Sequence, residues 1–153
     1  MAGILSHIRE ITAFLNPTEE SYLRFGTFKS PSRVGYSEKS HSELISLPPL
    51  SAKNGTKGES FKIRSADSSA NPYLVYTLLI YAGLDGIKKQ TELPEELNAD
   101  IYEVPASAAE ALYPLPSTLA EASATARTSE FVKTSLPDGL ADRILDIYTS
   151  ENS

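Results

Sequence analysis

The sequence over residues 71–87 reads NPYLVYTLLIYAGLDGI, with hardly a polar interruption. At helical spacing its aliphatic side chains fall on every side: Leu74, Val75, Leu78, Leu79, Ile80 and Leu84. Pro72 suits the first turn of a helix, and Gly86 followed by two lysines suits its end. A helix that is apolar on nearly all sides must be buried on nearly all sides. We therefore expect this segment to lie at the centre of the fold.

A second helix is predicted over residues 3–15, which read GILSHIREITAFL. The isoleucines, leucines and phenylalanine of this segment recur at helical spacing, which indicates an amphipathic helix. Asn16-Pro17 ends the pattern, because proline cannot continue the hydrogen-bond ladder.

The pattern changes between residues 33 and 64 to the short runs RVGYS, ELISLP and ESFKIRS, which predict about three strands. Pro48-Pro49 separates two of them, and Asn54-Gly55 is typical of a turn. The last third predicts short helices joined by proline-containing turns. We place these helices at residues 108–112, 117–124, 129–132 and 138–147.

The composition is that of one folded unit. The chain has 153 residues, of which 41% are hydrophobic and 22% charged. It has no recognisable leader and no apolar run near the roughly 20 residues that span a bilayer. The absence of cysteine excludes disulfides and thiolate metal sites, and two histidines leave a histidine-rich metal site out of reach. A cytoplasmic protein with no membrane partner is expected.

The net charge of −6 is divided unevenly along the chain. Residues 1–64 hold nine of the 14 Lys and Arg but six of the 20 Asp and Glu, so the remainder is strongly acidic. Nucleic-acid binding requires cations concentrated on one face, so no nucleic-acid partner is expected. The basic half is interpreted first as solvated surface charge and second as a site for a small anion.

Motifs that carry chemistry by themselves are absent from the sequence. There is no phosphate-binding glycine loop, paired-histidine helix or nucleophile elbow. Asp85, beside Gly86, is interpreted as a helix-end residue, and His7 as a packing or surface residue.

Two stretches resemble the glutamine synthetase family. Residues 2–24 contain a helix, then Asn-Pro-Thr, then Ser-Tyr-x-Arg, as the family does. Residues 63–87 match its Arg-x-x-Asp-x-x-x-Asn-Pro-Tyr-Leu segment and the following helix, which ends in Ala-Gly-Leu-Asp-Gly-Ile. The order and the spacing of the two stretches also agree with the family.

This resemblance implies an α+β fold with short antiparallel strands, a buried helix and a helical C-terminal region. It also implies that the chain is a single C-terminal portion of the catalytic domain over residues 1–153, with a helix and strands in 1–64 and mainly helices in 65–153. In the intact family, ATP phosphorylates glutamate and ammonia displaces the phosphate, with Mg or Mn ions and arginines stabilising the phosphoryl group. The β-grasp domain and several metal ligands precede the matched region in the family, so we expect a truncated domain.

The matched positions depart from the family where it carries its chemistry. A flap Glu before Ala-Pro corresponds to Lys29, and the two phosphate-binding arginines of Asn-Arg-Ser-Ala-x-Ile-Arg-Ile-Pro correspond to His41 and Ser46. In the motif Arg-x-Glu-x-Arg, Ser60 replaces an arginine and Lys62 replaces a metal-binding Glu.

Two cations at matched positions remain, Arg24 and Arg64, and the resemblance assigns them to substrate or phosphate binding. Lys62 has the largest consequence. Unit charges about 4 Å apart interact by about 4 kcal/mol at an effective dielectric constant near 20, so a carboxylate facing a divalent ion contributes about 8 kcal/mol. A change from Glu to Lys turns this attraction into a repulsion, so no metal ion is expected beside Lys62.

The sequence therefore predicts a glutamine synthetase-like fragment that is inactive alone, with no catalytic residues, no metal and no cofactor of its own. Two alternatives stay open. The chain could complete a split ATP-dependent enzyme, or it could act as an interaction module that binds glutamine synthetase subunits. Because the helix over residues 71–87 is apolar all round, we also expect self-association or a glutamine synthetase-like partner chain.

Overall fold

The computed structural model describes residues 1–27, 30–38, 43–47, 60–96 and 113–151. The chain forms two compact units. The helical unit comprises Met1–Arg24, Ala66–Leu93 and Leu115–Ser153, and the sheet unit comprises Phe25–Ser65 and Pro94–Pro114. The assignment of all 153 residues to one portion of a domain stays a prediction.

Helix α1 (Ala2–Leu15) is the central element of the helical unit. Ile8, Ile11, Phe14 and Leu15 are fully buried, because α1 packs against three other helices. The helix ends at Asn16, as the following proline predicts, and the short helix α2 (Glu19–Leu23) comes next.

Helix α3 (Pro72–Lys88) lies antiparallel to α1. The direction follows from two contacts: Asp67, just before α3, donates its N–H to the carbonyl of Leu15 over 2.8 Å, whereas Gly86 near the end of α3 lies against Gly3. The Asn71 side chain caps the first turn by accepting from the N–H of Tyr73.

The two helices touch through glycines. A Cβ added to Gly86 would lie 2.5 Å from the Cα of Gly3, and a Cβ added to Gly3 would lie 2.6 Å from the Cα of Gly86. Any side chain larger than hydrogen at either position therefore collides with the opposite backbone. These glycines set the closest approach of α1 and α3.

The expectation that α3 is buried on nearly all sides is wrong. The helix buries one narrow stripe, formed by Val75, Leu78, Ala82 and Gly86. Its opposite side exposes large apolar residues: Tyr73, Tyr76, Ile80, Leu84 and Ile87. The described residues cover only one face of α3, mainly through α1, and composition alone did not reveal this.

Three short helices complete the helical unit: α4 (Leu119–Thr128), α5 (Glu130–Ser135) and α6 (Leu140–Glu151). Thr118 caps α4 by accepting from the N–H of Glu121 over 3.1 Å, while the Glu121 carboxylate accepts from the N–H of Ser117 over 2.8 Å. Three of the four predicted short helices are confirmed. The fourth, over residues 108–112, lies outside the described residues, as do Pro48-Pro49 and the predicted Asn54-Gly55 turn.

The described part of the sheet unit forms three short strands in the order β1 (Tyr36–Ser37), β2 (Ile45–Ser46) and β3 (Lys62–Ile63). The pair β2–β3 is antiparallel as expected, whereas β1–β2 is parallel. An isolated bridge joins Arg33 to Pro114. The predicted α+β class and the three strands are confirmed, and no helix among the described residues is long and apolar enough to cross a membrane.

Candidate functional site

The sheet register brings together two of the diverged positions. Ser46 on β2 is directly opposite Lys62 on β3, and Ser37 on β1 is the partner of Ser46 on its other side. Side chains directly opposite each other on antiparallel strands point to the same face and lie about 5 Å apart at Cβ. Ser37, Ser46 and Lys62 therefore form one cross-strand row, in which the two serines are buried and the ammonium of Lys62 is exposed.

Arg64 continues the same stretch of chain two residues beyond Lys62. Its N–H donates to the carbonyl of Leu44 over 2.9 Å, which extends the pairing with β2 by one step. Residues two apart along an extended chain point to the same side, so Lys62 and Arg64 share a face. Arg64 is half-buried, whereas Ser60 and Lys62 are exposed.

The other diverged positions, Lys29 and His41, lie outside the described residues. The remaining matched arginine, Arg24, belongs to the helical unit, whereas Arg64 belongs to the sheet unit.

Arg24 lies in a network of polar side chains at the end of α1. Its Nη2 donates to Oδ1 of Asn16 over 2.8 Å, and its Nε lies 3.5 Å from Oδ2 of Asp67. Asn16 is fully buried and donates through Nδ2 to the carbonyl of Thr12 over 3.3 Å. The guanidinium therefore joins the end of α1 to the segment that leads into α3.

The carboxylate of Asp67 is held in its charged form. The backbone N–H of Ser69 lowers the pKa of Asp67 most, burial opposes this, and the hydroxyls of Ser69 and Ser21 and the guanidinium of Arg24 lower it further. The Ser69 N–H and hydroxyl each lie 2.9 Å from Oδ1. Three residues of the matched motifs, Asn16, Arg24 and Asp67, thus stabilise one another.

A second polar cluster joins α1 to α3 and α5. His7 Nε2 lies 2.8 Å from Oδ2 of Asp85, and His7 Nδ1 lies 3.2 Å from Oε1 of Glu10. The imidazole thus lies between two carboxylates, one on α1 and one on α3. Hydrogen bonds from Lys89, first, and from His7 lower the pKa of Asp85.

The His7 ring is also fixed by stacking. Its centroid lies 3.9 Å from that of Phe131, with 18° between the planes. Glu10 accepts a hydrogen bond from the hydroxyl of Ser129, the residue that caps α5. An open cleft of about 580 Å³ lies beside this cluster, with threonines 125, 128 and 134 on its wall. The charges of the cluster are paired within it, so it is equipped to hold three helices together.

Neither cluster was identified from the sequence. His7 and Asp85 are 78 residues apart, and each was interpreted separately as a packing or helix-end residue. No local signal could have found this pair, because the contact depends on the close approach of α1 and α3 at Gly3 and Gly86. Within the described segments, no three His, Cys, Asp or Glu side chains lie close enough to hold a metal ion.

Comparison with known proteins gives a consistent result. Residues 1–152 match the family model described as glutamine synthetase, catalytic domain. A glutamine synthetase of Staphylococcus aureus (strain MW2) is 35% identical over 155 aligned residues, which cover 98% of this chain and 33% of that protein. A glutamine synthetase of Mycolicibacterium smegmatis is 36% identical over 120 residues, which cover 78% of this chain and 25% of that protein.

Solved structures agree in fold. A GmaS–ADP complex is similar with a TM-score of 0.82 at 25% identity, and apo GmaS without ligand with a TM-score of 0.80 at 26% identity. Each covers 98% of this chain, which in turn covers 34% and 32% of those chains. The chain thus spans about a quarter to a third of the length of the relatives it matches. On the family match and the shared fold together, the chain belongs to the glutamine synthetase catalytic-domain family.

Proposed function

We propose that these 153 residues are a part of a glutamine synthetase-type catalytic domain that does not make glutamine on its own. The observation that carries the proposal is Lys62. By resemblance, position 62 corresponds to a metal-binding carboxylate, and here it is an exposed ammonium. Its cross-strand partner is Ser46, which corresponds to an arginine in the family.

A divalent metal does not fit this group of residues. Metal ions of this kind require oxygen ligands, whereas the face of β3 carries the cations of Lys62 and Arg64. An ammonium repels a divalent ion where a carboxylate would attract it. Lys62 supplies no oxygen ligand at the position that the resemblance assigns to a carboxylate, so no metal-dependent step is proposed for this site.

Nucleotide binding is proposed to be weak. One solved relative is a complex with ADP, and two arginines remain here at matched positions. Arg24, however, is already bonded to Asn16 and paired with Asp67. With Arg24 held by these contacts, fewer arginines are left for bidentate recognition of a phosphate.

The split-enzyme alternative stays a proposal. The chain spans about a third of the Staphylococcus aureus relative, so the other ligands of such an enzyme would come from polypeptide outside these residues. The interaction-module alternative needs no catalysis and stays a proposal. A cytoplasmic location stays a prediction.

The test is glutamine formation by the purified chain from glutamate, ammonia and ATP, with Mg or Mn. We expect no product above a blank, and none from the Lys62→Glu variant either, because catalytic groups that act as a unit do not recover singly. The matched control is the Staphylococcus aureus enzyme under the same conditions. Metal-dependent turnover by the unmodified chain would contradict the proposal.

A further inference from the structure

His7 lies in the middle of a continuous chain of hydrogen bonds. On one side, Oδ2 of Asp85 lies 2.8 Å from His7 Nε2 and also 2.8 Å from Nζ of Lys89. On the other side, His7 Nδ1 lies 3.2 Å from Oε1 of Glu10, whose second oxygen accepts from the hydroxyl of Ser129. The chain of hydrogen bonds therefore runs from the end of α3 across α1 to the residue that caps α5.

The far end of this chain of hydrogen bonds holds the first turn of α5. The hydroxyl oxygen of Ser129 accepts from the N–H of Val132 over 3.1 Å. Phe131, on the same turn, stacks on the His7 ring with 3.9 Å between the centroids. Two of the contacts that tie this turn to α1 therefore involve the His7 ring, one through Glu10 and one by stacking.

The two charge states of an imidazole satisfy these hydrogen bonds differently. A cationic ring has a proton on each nitrogen, so it donates to both carboxylates. A neutral ring has one proton, so one of its nitrogens meets a carboxylate oxygen with no hydrogen between them. The His7 contact with Asp85 is shorter than that with Glu10, 2.8 Å against 3.2 Å. A neutral ring therefore keeps its proton on Nε2 and loses the hydrogen bond to Glu10.

The other charged groups around the ring are paired. Lys89 is bonded to Asp85, and Glu130 of α5, which lies on the wall of the cleft, pairs with Lys133 over 3.0 Å. Helix α4 contributes threonines to the described part of that wall. Among the described groups that face the cluster, the imidazole is thus the one whose ordinary range of titration lies between about pH 5 and 8.

We propose that His7 is a pH-dependent latch that holds the start of α5 against α1 and α3. The cationic ring closes the latch. Loss of the proton leaves Nδ1 facing the carboxylate of Glu10, and this side chain, which is 29% exposed, turns towards solvent and releases the hydroxyl of Ser129. Because the closed form binds one more proton than the released form, it is favoured at low pH and is lost as the pH rises through the range in which the ring titrates. The latch lies within the helical unit and is independent of the proposed function.

The test is amide hydrogen exchange of the full 153-residue chain at pH 6 and pH 8, with each measured rate divided by the intrinsic rate at that pH. The N–H of Val132 should lose protection by about fivefold or more at pH 8, which corresponds to one net hydrogen bond. Amides in the middle of α1 and α3 should keep their protection, because the contact between His7 and Asp85 remains.

Three variants separate the latch from a purely structural contact. His7→Gln should abolish the difference between the two pH values, because a glutamine amide does not titrate. Glu10→Gln should abolish it as well, because an amide can accept from a protonated Nδ1 and donate to a bare one. His41→Gln, at the other histidine of the chain, should leave the difference unchanged.

Equal protection of Val132 at the two pH values would overturn the proposal. A difference that persists in both glutamine variants, or that appears equally in α1 and α3, would do the same. If circular dichroism shows that His7→Gln does not fold, Glu10→Gln and the unmodified chain still decide the question. The nitrogen chemical shifts of the His7 ring, followed over the same pH range, show which atom loses the proton, and loss from Nε2 would contradict release on the Glu10 side.

Discussion

The helical unit and the sheet unit differ in what their family-matched residues do. In the helical unit, Asn16, Arg24 and Asp67 bond to one another and join α1 to the approach to α3. In the sheet unit, the matched positions 46 and 62 are cross-strand partners whose residues differ in charge from the family's. By the resemblance, likeness is kept at residues that hold backbone segments together in this structure, and it is lost at positions that the resemblance assigns to ligands.

The largest expected effect in the helical unit is that of Gly86→Ala. The added Cβ meets the backbone of Gly3 at 2.5 Å, and backbone cannot rotate away, so we expect a loss of about 3 kcal/mol in the free energy of unfolding. Gly83→Ala is the matched control on the same helix, because a Cβ there meets nothing within 4 Å. It should stabilise by about 1 kcal/mol. Equal effects in urea denaturation would show that α1 and α3 are not in close contact.

Arg24→Ala tests whether a matched arginine supports the fold. Removing the guanidinium leaves the buried Oδ1 of Asn16 without this donor, which should cost about 1–3 kcal/mol of unfolding free energy. Lys62→Ala, at the exposed matched position in the sheet unit, should change stability by less than about 0.5 kcal/mol. A larger loss of unfolding free energy for Lys62→Ala than for Arg24→Ala, measured by chemical denaturation, would contradict this difference between the two units.

The pH dependence of stability should depend on Asp67. Its folded-state pKa is lowered, so its contribution is fully present above the ordinary Asp pKa of about 4 and is lost as the pH falls through the lower folded value. The unfolding free energy of the unmodified chain should therefore fall more steeply with acid below about pH 4 than that of Asp67→Asn. Parallel curves, measured by urea denaturation from pH 2 to 7, would contradict this.

The smallest expected effect concerns the affinity of the chain for a nucleotide. With Arg24 bonded internally, ATP should bind with a dissociation constant of about 1 mM or weaker, without dependence on Mg, and more weakly in high salt. Calorimetric titration measures this directly, and Arg64→Ala should weaken it further. Tight binding that requires Mg would contradict the alignment of Lys62 with a metal ligand.

Local sequence signals predicted the main elements. The helix predicted over residues 3–15 is observed as Ala2–Leu15, and the apolar segment 71–87 is observed as Pro72–Lys88. About three strands were expected and the described residues form three, though each is only two residues long. These predictions succeed because helix period, proline and capping residues act within a few positions of the chain.

Contacts between distant residues were not predictable in the same way. Nothing near His7 in the sequence indicates that Asp85 lies 2.8 Å away, and nothing near Arg24 indicates that it pairs with Asp67. The functional roles suggested by resemblance for Arg64, Ser60 and Lys62 stay predictions.

The sequence by itself determined the elements, the family resemblance and the reversal of charge at Lys62, because each is a property of residue type and spacing. Only the tertiary structure decided that α3 is packed on one side and bare on the other. The physical reason is that hydrophobic periodicity states which side chains favour burial, whereas burial itself depends on the area that neighbouring elements can cover. Here α1 approaches through Gly3 and Gly86 and covers one face, whereas Ile80, Leu84 and Ile87 on the opposite face stay exposed.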